Sequence, residues 1–151
     1  MTFPIRKASA QTTPKPEKSA GSGKSTASQA EDLLALHLRA EGIEAIREYR
    51  FAAEACGGPG KGLRDRLAKA GLQDWRADFA LLEHGLLIEV EGGGWTGGRH
   101  TRGAGFAADL KKYDAAARLG WRVYRCDPAM IKSGRAIETI LILMQQGREC
   151  A

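Results

Sequence analysis

Two strand-like segments joined by a short turn constrain this chain more than any other feature of its sequence. The segments are Asp74–Leu82 and Leu86–Glu91, and the turn between them is Glu83-His84-Gly85. In both segments apolar residues recur at every second position, which is the period of a β-strand. Because so short a turn joins neighbouring antiparallel strands, the sequence predicts a β-hairpin here.

Further elements are predicted on both sides of the hairpin. Ser28 and Glu31 match a capping box at the start of a helix, and Gly42 ends that helix. The other predicted elements are an extended segment at 48–54, a short helix at 64–71, a helix at 106–119 with Phe106, Leu110, Tyr113 and Ala117 on one stripe, a strand at 121–126 and a final helix after Pro128. A strand–helix–strand connection is right-handed and parallel. We therefore predict an α/β fold with a mixed central sheet, flanking helices and a C-terminal helix.

Three carboxylates of the predicted hairpin fall on one face of the sheet. Glu89 and Glu91 are two residues apart on the second strand, and Asp78 interrupts the apolar run of the first. Pairing across the hairpin brings Asp78 within a residue or two of both. Like charges at this spacing repel by about 2–3 kcal/mol, so the cluster needs compensation. A Mg²⁺ or Mn²⁺ ion suits these oxygen ligands. The alternatives are a solvated sheet face or ion pairs with Arg76, Arg99 or Arg122.

The segment from Asp78 to Arg125 resembles the core of the PD-(D/E)XK nuclease superfamily. Asp78 matches the first acid of that family, and Glu89-Val90-Glu91 matches its acid-x-lysine motif with glutamate in place of lysine. The run EVEGGGWTGGRHTRGAGFAADLKKYDAAARLGWRVYRC is similar to small phage and prophage endonuclease-like proteins, near the very-short-patch repair and VRR-NUC relatives. The resemblance implies a restriction-endonuclease-like core in the order αβββαβ. It also implies that Glu31, on the first helix, supports the metal site.

The resemblance further implies a Mg²⁺- or Mn²⁺-dependent deoxyribonuclease that hydrolyses phosphodiester bonds with a metal-activated water. Asp78 and Glu89, together with Glu31, are then the expected metal ligands. DNA is the expected partner, a homodimer is one expected assembly, and no membrane is involved. The expected compartment is the cytoplasm of a bacterial or phage-infected cell. Because the motif lysine is absent, the alternative function is a catalytically silent nucleic-acid-binding module with the same fold.

A replacement for the missing motif lysine is available on the following helix. Lys112, or its neighbour Lys111, lies beside the apolar stripe of this helix and can reach the sheet edge. The alternative for either residue is an ordinary solvated lysine. Glu91 is itself a candidate, either as a second metal ligand or as a base toward the attacking water.

A glycine-rich loop at 92–105 follows the acidic motif and carries candidate nucleic-acid contacts. Arg99, His100 and Arg102 are donors suited to a phosphate backbone. His100 is also a candidate for protonating a leaving group. Trp95 either stacks on a base or anchors the loop in the core.

Residues 1–28 are predicted to be a disordered basic tail, which leaves a nuclease-like domain at 29–151. The tail carries five lysines and arginines against one acid, so most of the net charge of +5 lies there. Such a tail either attracts nucleic acid or serves solubility. Its GSGKST run ends like a P-loop but lacks the first glycine and the preceding buried strand. The three cysteines have no metal-binding spacing, and no apolar run is long enough for a membrane span.

Overall fold

The computed structural model describes residues 26–92 and 102–149, which form a sheet with helices on both faces. The helices are α1 (Thr26–Ala40), α2 (Phe51–Ala55), α3 (Leu63–Ala70), α4 (Arg102–Arg118), α5 (Pro128–Lys132) and α6 (Arg135–Glu149). The strands are β1 (Ile46–Tyr49), β2 (Ala77–Leu81), β3 (Leu86–Val90) and β4 (Arg122–Cys126). Within these residues, no helix has the length and apolar character needed to cross a membrane.

The strands follow the order β1-β2-β3-β4 across the sheet. The pairs β1–β2 and β2–β3 are antiparallel, whereas β3 and β4 are parallel. A 3-10 turn at Leu82–His84 joins β2 to β3, and Gly85 completes it with a φ of 54°. Glycine adopts this left-handed conformation without strain. The predicted hairpin, the predicted parallel pair and the mixed central sheet are therefore confirmed.

The inner strand β3 is buried at all five of its positions. Phe79 and Ile88 belong to the core cluster that also contains side chains of α1, α5 and α6. Ala80 and Leu87 belong to a second cluster, formed with α2, α3 and α4. A strand covered on both faces is normally a continuous apolar run. Glu89 departs from this pattern, and among the described residues it is the one charged residue that is buried.

The first helix begins earlier than the capping box predicts. It starts at Thr26, so Ser28 lies in its first turn and is not its N-cap. Ser25, Thr26 and Ser28 are all residue types that favour helix N-termini, so residue type alone does not choose among them. The remainder of the predicted tail, residues 1–25, lies outside the described residues.

The segment predicted as extended over 48–54 is only partly a strand. Strand β1 ends at Tyr49, and Phe51–Ala55 forms helix α2. Phe51, Ala52 and Ala53 are all buried, a sequence of three that strand alternation explains poorly at a sheet edge. The sequence FAAEA is rich in alanine, which has the highest helix propensity. The prediction was wrong here because the alternation of Tyr49, Phe51 and Ala53 gave no weight to Ala52, which is buried together with both of its neighbours.

The apolar stripe predicted for α4 is wrong at three of its four positions. Phe106 and Leu110 are 65% and 54% exposed, Ala117 is also exposed, and Tyr113 is half-buried. Among the described side chains of this helix, Ala115 and Ala116 are the buried ones. Small side chains allow a helix to approach a sheet closely, so alanines face inward here. The periodicity of large apolar residues pointed to the face with Phe106 and Leu110, whereas the face with Ala115 and Ala116 is the buried one.

An ordered insertion separates β1 from β2 and contains α2, α3 and a glycine-rich turn at 56–62. The guanidinium of Arg66 donates to the carbonyl oxygens of Cys56, Lys61 and Gly58 at 2.7, 2.7 and 2.6 Å. Leu67 is buried on the sheet face that α4 also covers. The short helix predicted at 64–71 is confirmed, and it lies on the same side of the sheet as α4.

The core assignment gives a stability prediction for two leucines of α1. Leu34 is 0% exposed, whereas Leu36 on the same helix is 53% exposed. We expect Leu34→Ala to lower the free energy of unfolding by about 2–5 kcal/mol, because it leaves a cavity in the core. Leu36→Ala, the matched control, should change it by less than about 0.5 kcal/mol. Urea denaturation of both variants measures the difference, and equal losses would contradict the core described above.

Candidate active site

Asp78 and Glu89 face each other across the β2–β3 hairpin. The ladder pairs Phe79 with Ile88, and one further step of this antiparallel register sets Asp78 opposite Glu89. Asp78 Oδ2 also accepts a hydrogen bond from the Val90 amide at 2.6 Å. The structure thus brings together the two carboxylates that the sequence places on one sheet face.

Lys112 reaches this pair from helix α4. Its Nζ lies 2.7 Å from Glu89 Oε1, and the two side chains are only 18% and 11% exposed. The ion pair is therefore largely shielded from water. Lys111, the other candidate, is exposed on the adjacent position of the helix. Of the two lysines, Lys112 is the one that the fold directs to the acids.

Glu91 lies beyond the end of β3 and has a basic partner of its own. Arg125 Nε donates to Glu91 Oε1 at 2.7 Å, and Tyr113 Oη donates to the same oxygen at 3.5 Å. The guanidinium of Arg125 stands 4.7 Å from the centre of the Tyr113 ring. Glu91 is thus part of a half-exposed cluster beside the Asp78–Glu89 pair.

Sequence reasoning did not identify Arg125 as a partner of the acids. The parallel β3–β4 ladder pairs Glu89 with Arg125 and so carries this arginine to the acidic edge. The alternation of β4 predicts a strand but not its register, so no sequence signal selects Arg125. Two of the arginines named as alternative partners contact other groups. Arg76 donates to Glu48 at 3.1 Å, and Arg122 donates to the carbonyl oxygens of His84 and Leu143.

Glu31 approaches the acidic edge from α1. Arg47 donates to Glu31 at 3.3 Å and to Asp32 at 2.8 Å. Burial, followed by the negative charge of Asp78, raises the pKa of Glu31 above its ordinary value. The first helix therefore supplies an acid on which the charge of Asp78 acts.

Glu48 is a further acid at this edge that the sequence did not single out. Its φ is 51°, a left-handed value that no other non-glycine residue of the described chain adopts. A non-glycine residue in this region is strained and often marks a functional position. The charge of Glu48 acts on both Asp78 and Glu31. The sequence predicts an ordinary extended segment from Glu48 onward. Only the backbone geometry shows the left-handed conformation of this residue.

The acids at this edge hold their protons more tightly than ordinary carboxyls. Burial raises the pKa of Glu89 to about 7, against the opposing effect of the Lys112 ammonium, and the charges of Asp78 and Glu91 add to the rise. Burial also raises the pKa of Asp78, although its hydrogen bond from Val90 and the Lys112 charge act in the other direction. The Lys112 ammonium alone thus does not offset the cost of holding both carboxyls in their charged forms.

The pair fits a divalent cation that retains water ligands. Asp78 and Glu89 offer adjacent hard oxygen donors, and Mg²⁺ is commonly bound by one or two carboxylates together with waters and substrate phosphates. No group of three His, Cys, Asp or Glu side chains in the described ranges is arranged to hold a metal by itself. A site built here is therefore an open one, with positions left for water and phosphate.

The glycine-rich loop and its predicted nucleic-acid contacts fall outside this description. Trp95, Arg99 and His100 are not among the described residues. Arg102 begins α4, and the structure describes its backbone but not its side chain.

Among solved structures, the chain is similar to one titled as the catalytic domain of the homing endonuclease I-Bth0305I. The identity is 16% and the TM-score 0.50, and the match covers 78% of this chain and 95% of that domain. No family model and no curated protein matches the chain. At this identity the likeness concerns the fold alone. The described chain has an α/β fold similar to that of a nuclease domain.

The raised pKa of Glu89 gives a prediction for stability against pH. In the unfolded chain this carboxyl titrates near 4.5, and in the folded chain near 7. The folded state therefore binds the proton more tightly, and the free energy of unfolding must fall as the pH rises between these values. We expect Glu89→Gln to remove up to about 3 kcal/mol of this fall.

The measurement is urea denaturation of both proteins between pH 4.5 and pH 8 in the presence of EDTA. The informative quantity is the difference between the two curves, because other titrating groups cancel in it. Parallel curves for the wild type and the variant would show that Glu89 titrates normally in the folded protein.

Proposed function

We propose that this protein is a divalent-metal-dependent endonuclease that hydrolyses phosphodiester bonds in DNA. The observation that carries the proposal is the grouping of Asp78, Glu89 and Lys112 at one edge of the central sheet. Two carboxylates that are shielded from water and share one lysine destabilise the folded state, unless a bound ligand compensates their charge. The nuclease-like fold supports the same conclusion.

In this proposal Asp78 and Glu89 hold the metal ion, and Glu31 adds negative charge from α1. When bound, a Mg²⁺ or Mn²⁺ ion supplies Lewis-acid stabilisation and lowers the pKa of a bound water. Asp78 is held in place through its hydrogen bond from the Val90 amide. The ligand positions are thus set by the strand backbone, which keeps them ordered before substrate arrives.

Lys112 takes the role of the lysine that the family motif normally carries two residues after Glu89. Its ammonium is oriented by Glu89, and it stands where a phosphate bound at the two acids would develop negative charge. Glu91 acts indirectly in this scheme. By accepting from Arg125 it positions that guanidinium beside the acids, where it can contact a neighbouring phosphate.

DNA is the proposed substrate, because the similar structure carries the name of a homing endonuclease. The net charge of +5 favours binding to a polyanion. We propose that Arg99, His100 and Arg102 hold the DNA backbone, with His100 able to protonate the leaving group, and that Trp95 contacts the substrate or anchors the loop.

Cleavage assays of acid variants test the proposal directly. We expect Asp78→Asn and Glu89→Gln each to reduce Mg²⁺- or Mn²⁺-dependent cleavage of DNA by at least about 100-fold, because each change removes a metal ligand. Glu83→Gln is the control, since Glu83 is an exposed acid in the turn at the opposite end of the hairpin. The substrates are linear, nicked, branched and single-stranded DNA and an RNA of the same sequence. Cleavage that persists in EDTA, or in both variants, would refute the metal-dependent site.

A separate prediction concerns the lysine supplied by α4. We expect Lys112→Ala to lower the cleavage rate by about 100-fold, because a positive group at the transferring phosphate is lost. Lys112→Arg should recover part of the activity. Lys132→Ala on α5 is the control, since this lysine is exposed on the other side of the sheet. Unchanged cleavage by Lys112→Ala, with its folding verified by circular dichroism, would remove Lys112 from the proposed machinery.

A second candidate function is a catalytically silent nucleic-acid-binding module. It is favoured by the basic partners that the acids already have within the protein, Lys112 on Glu89 and Arg125 on Glu91. The two functions differ in their response to metal. DNA binding that is unaffected by EDTA, with no cleavage of any substrate in Mg²⁺ or Mn²⁺, would identify the silent module.

A further inference from the structure

A cleft of about 550 Å³ lies between the α2–α3 insertion and the second half of α4. Its walls include Cys56 and Leu72 from the insertion, Trp75 just before β2, Ala115 of α4 and Leu119 just after that helix. Helices α2, α3 and α4 all pack on one face of the sheet, the face that bears Leu87 and therefore Glu89. The cleft thus lies on the catalytic side of the sheet.

The side chains of the cleft combine the three kinds of contact that a nucleotide needs. Trp75 packs partly against the core cluster of this sheet face, and the rest of its ring lines the cleft as an aromatic surface for stacking. Gln73 and Asp114 supply an amide and a carboxylate for the edge of a base. Lys111 and Arg118 supply positive charge for phosphates, and Arg118 lies 4.0 Å from Asp114. The volume is in the range of small-molecule sites.

The charge around the cleft also suits a polyanion. Residues 56–73 carry four basic side chains, Lys61, Arg64, Arg66 and Lys69, against the single acid Asp65. Arg66 is occupied by backbone carbonyls, and it orders the turn that carries Lys61. Lys61, Arg64 and Lys69 are thus exposed cations of the same ordered insertion, whereas the cations that line the cleft itself are Lys111 and Arg118.

The cleft adjoins the proposed active site through two consecutive residues of α4. Lys112 turns inward to Glu89, whereas Lys111 lines the cleft. From Lys111 to Arg118 the helix rises by about 10 Å, which is close to three steps of a stacked strand at about 3.4 Å each. The cleft therefore begins one residue from the lysine that contacts Glu89, and it extends along α4 over about this distance.

We propose that this cleft holds one unpaired nucleotide of the DNA whose backbone lies at the Asp78–Glu89 site. A base inside a duplex is stacked on both sides and cannot enter a concave pocket, whereas a bulged or extruded base can. This inference rests on the proposed function for the position of the backbone. It adds a substrate preference, for DNA with an unpaired base close to the scissile phosphate.

Binding measured in EDTA tests the cleft without requiring cleavage. The full chain is titrated, by fluorescence anisotropy, with a short duplex that carries one unpaired cytosine and with the same duplex fully paired. We expect the bulged duplex to bind about tenfold more tightly, which is within the contribution of one stacked base. Gln73→Ala and Lys111→Ala should each reduce this preference, and Lys132→Ala, on the opposite side of the sheet, should leave it intact.

Photo-crosslinking locates the base. With 5-iodocytosine at the bulge, we expect the crosslinked peptide to contain Trp75, and free cytidine monophosphate should compete only weakly because it lacks the adjoining strand. Equal affinity for both duplexes, a crosslink only outside the cleft, or a free nucleotide that competes as well as the bulged duplex would each overturn the inference.

These experiments distinguish a failure of the cleft proposal from a failure of the proposed nuclease function. A bulge preference with a Trp75 crosslink but no cleavage in any metal would support the cleft and refute the nuclease. Metal-dependent cleavage without any bulge preference would support the nuclease and refute the cleft.

Discussion

The burial of the Glu89 carboxylate in the central strand is the constraint on which the rest of the site depends. Strand β3 is covered by helices on both faces, so a charge at this position loses most of its hydration. The Lys112 ammonium offsets part of this loss of hydration energy, but Asp78 lies across the hairpin and adds a second carboxylate. Two carboxylates at this edge of the sheet therefore face one ammonium, and a bound cation would stabilise their charged forms.

The Glu89–Lys112 pair is difficult to explain as a device for stability. Replacing a buried ion pair by apolar residues of similar size is often neutral or stabilising. A leucine or valine would continue the apolar pattern of β3 at this position, as its neighbours do. The proposed function gives the pair a reason, because a lysine held by one carboxylate could then act on a phosphate beside the acids.

Several elements distant in sequence supply this edge. Asp78 and Glu89 come from a local hairpin, but Lys112 comes from the crossover helix, Arg125 from the parallel strand and Glu31 from the first helix. The insertion between β1 and β2 covers the same face and forms the cleft beside Lys111. The strands thus supply Asp78, Glu89 and Arg125, and the packing of the helices on the sheet adds Lys112 and Glu31.

The sequence by itself determined the hairpin, the parallel β3–β4 pair and the convergence of Asp78 with Glu89. These follow from local rules, since strand period, turn length and crossover handedness are properties of short segments. It also indicated Lys111 and Lys112 as the two lysines of the following helix that could reach these acids.

Only the tertiary structure decided which lysine turns inward and which arginine meets Glu91. The rotation of α4 on the sheet is set by the close packing of Ala115 and Ala116, and hydrophobic periodicity does not weigh small residues that way. The register of β4 brings Arg125 beside Glu89, and a parallel register is imposed by the packing of the crossover helix instead of by a turn. Likewise, the left-handed backbone at Glu48 and the helical turn at Phe51 arise where the chain leaves the sheet edge, so no pattern within β1 could reveal them.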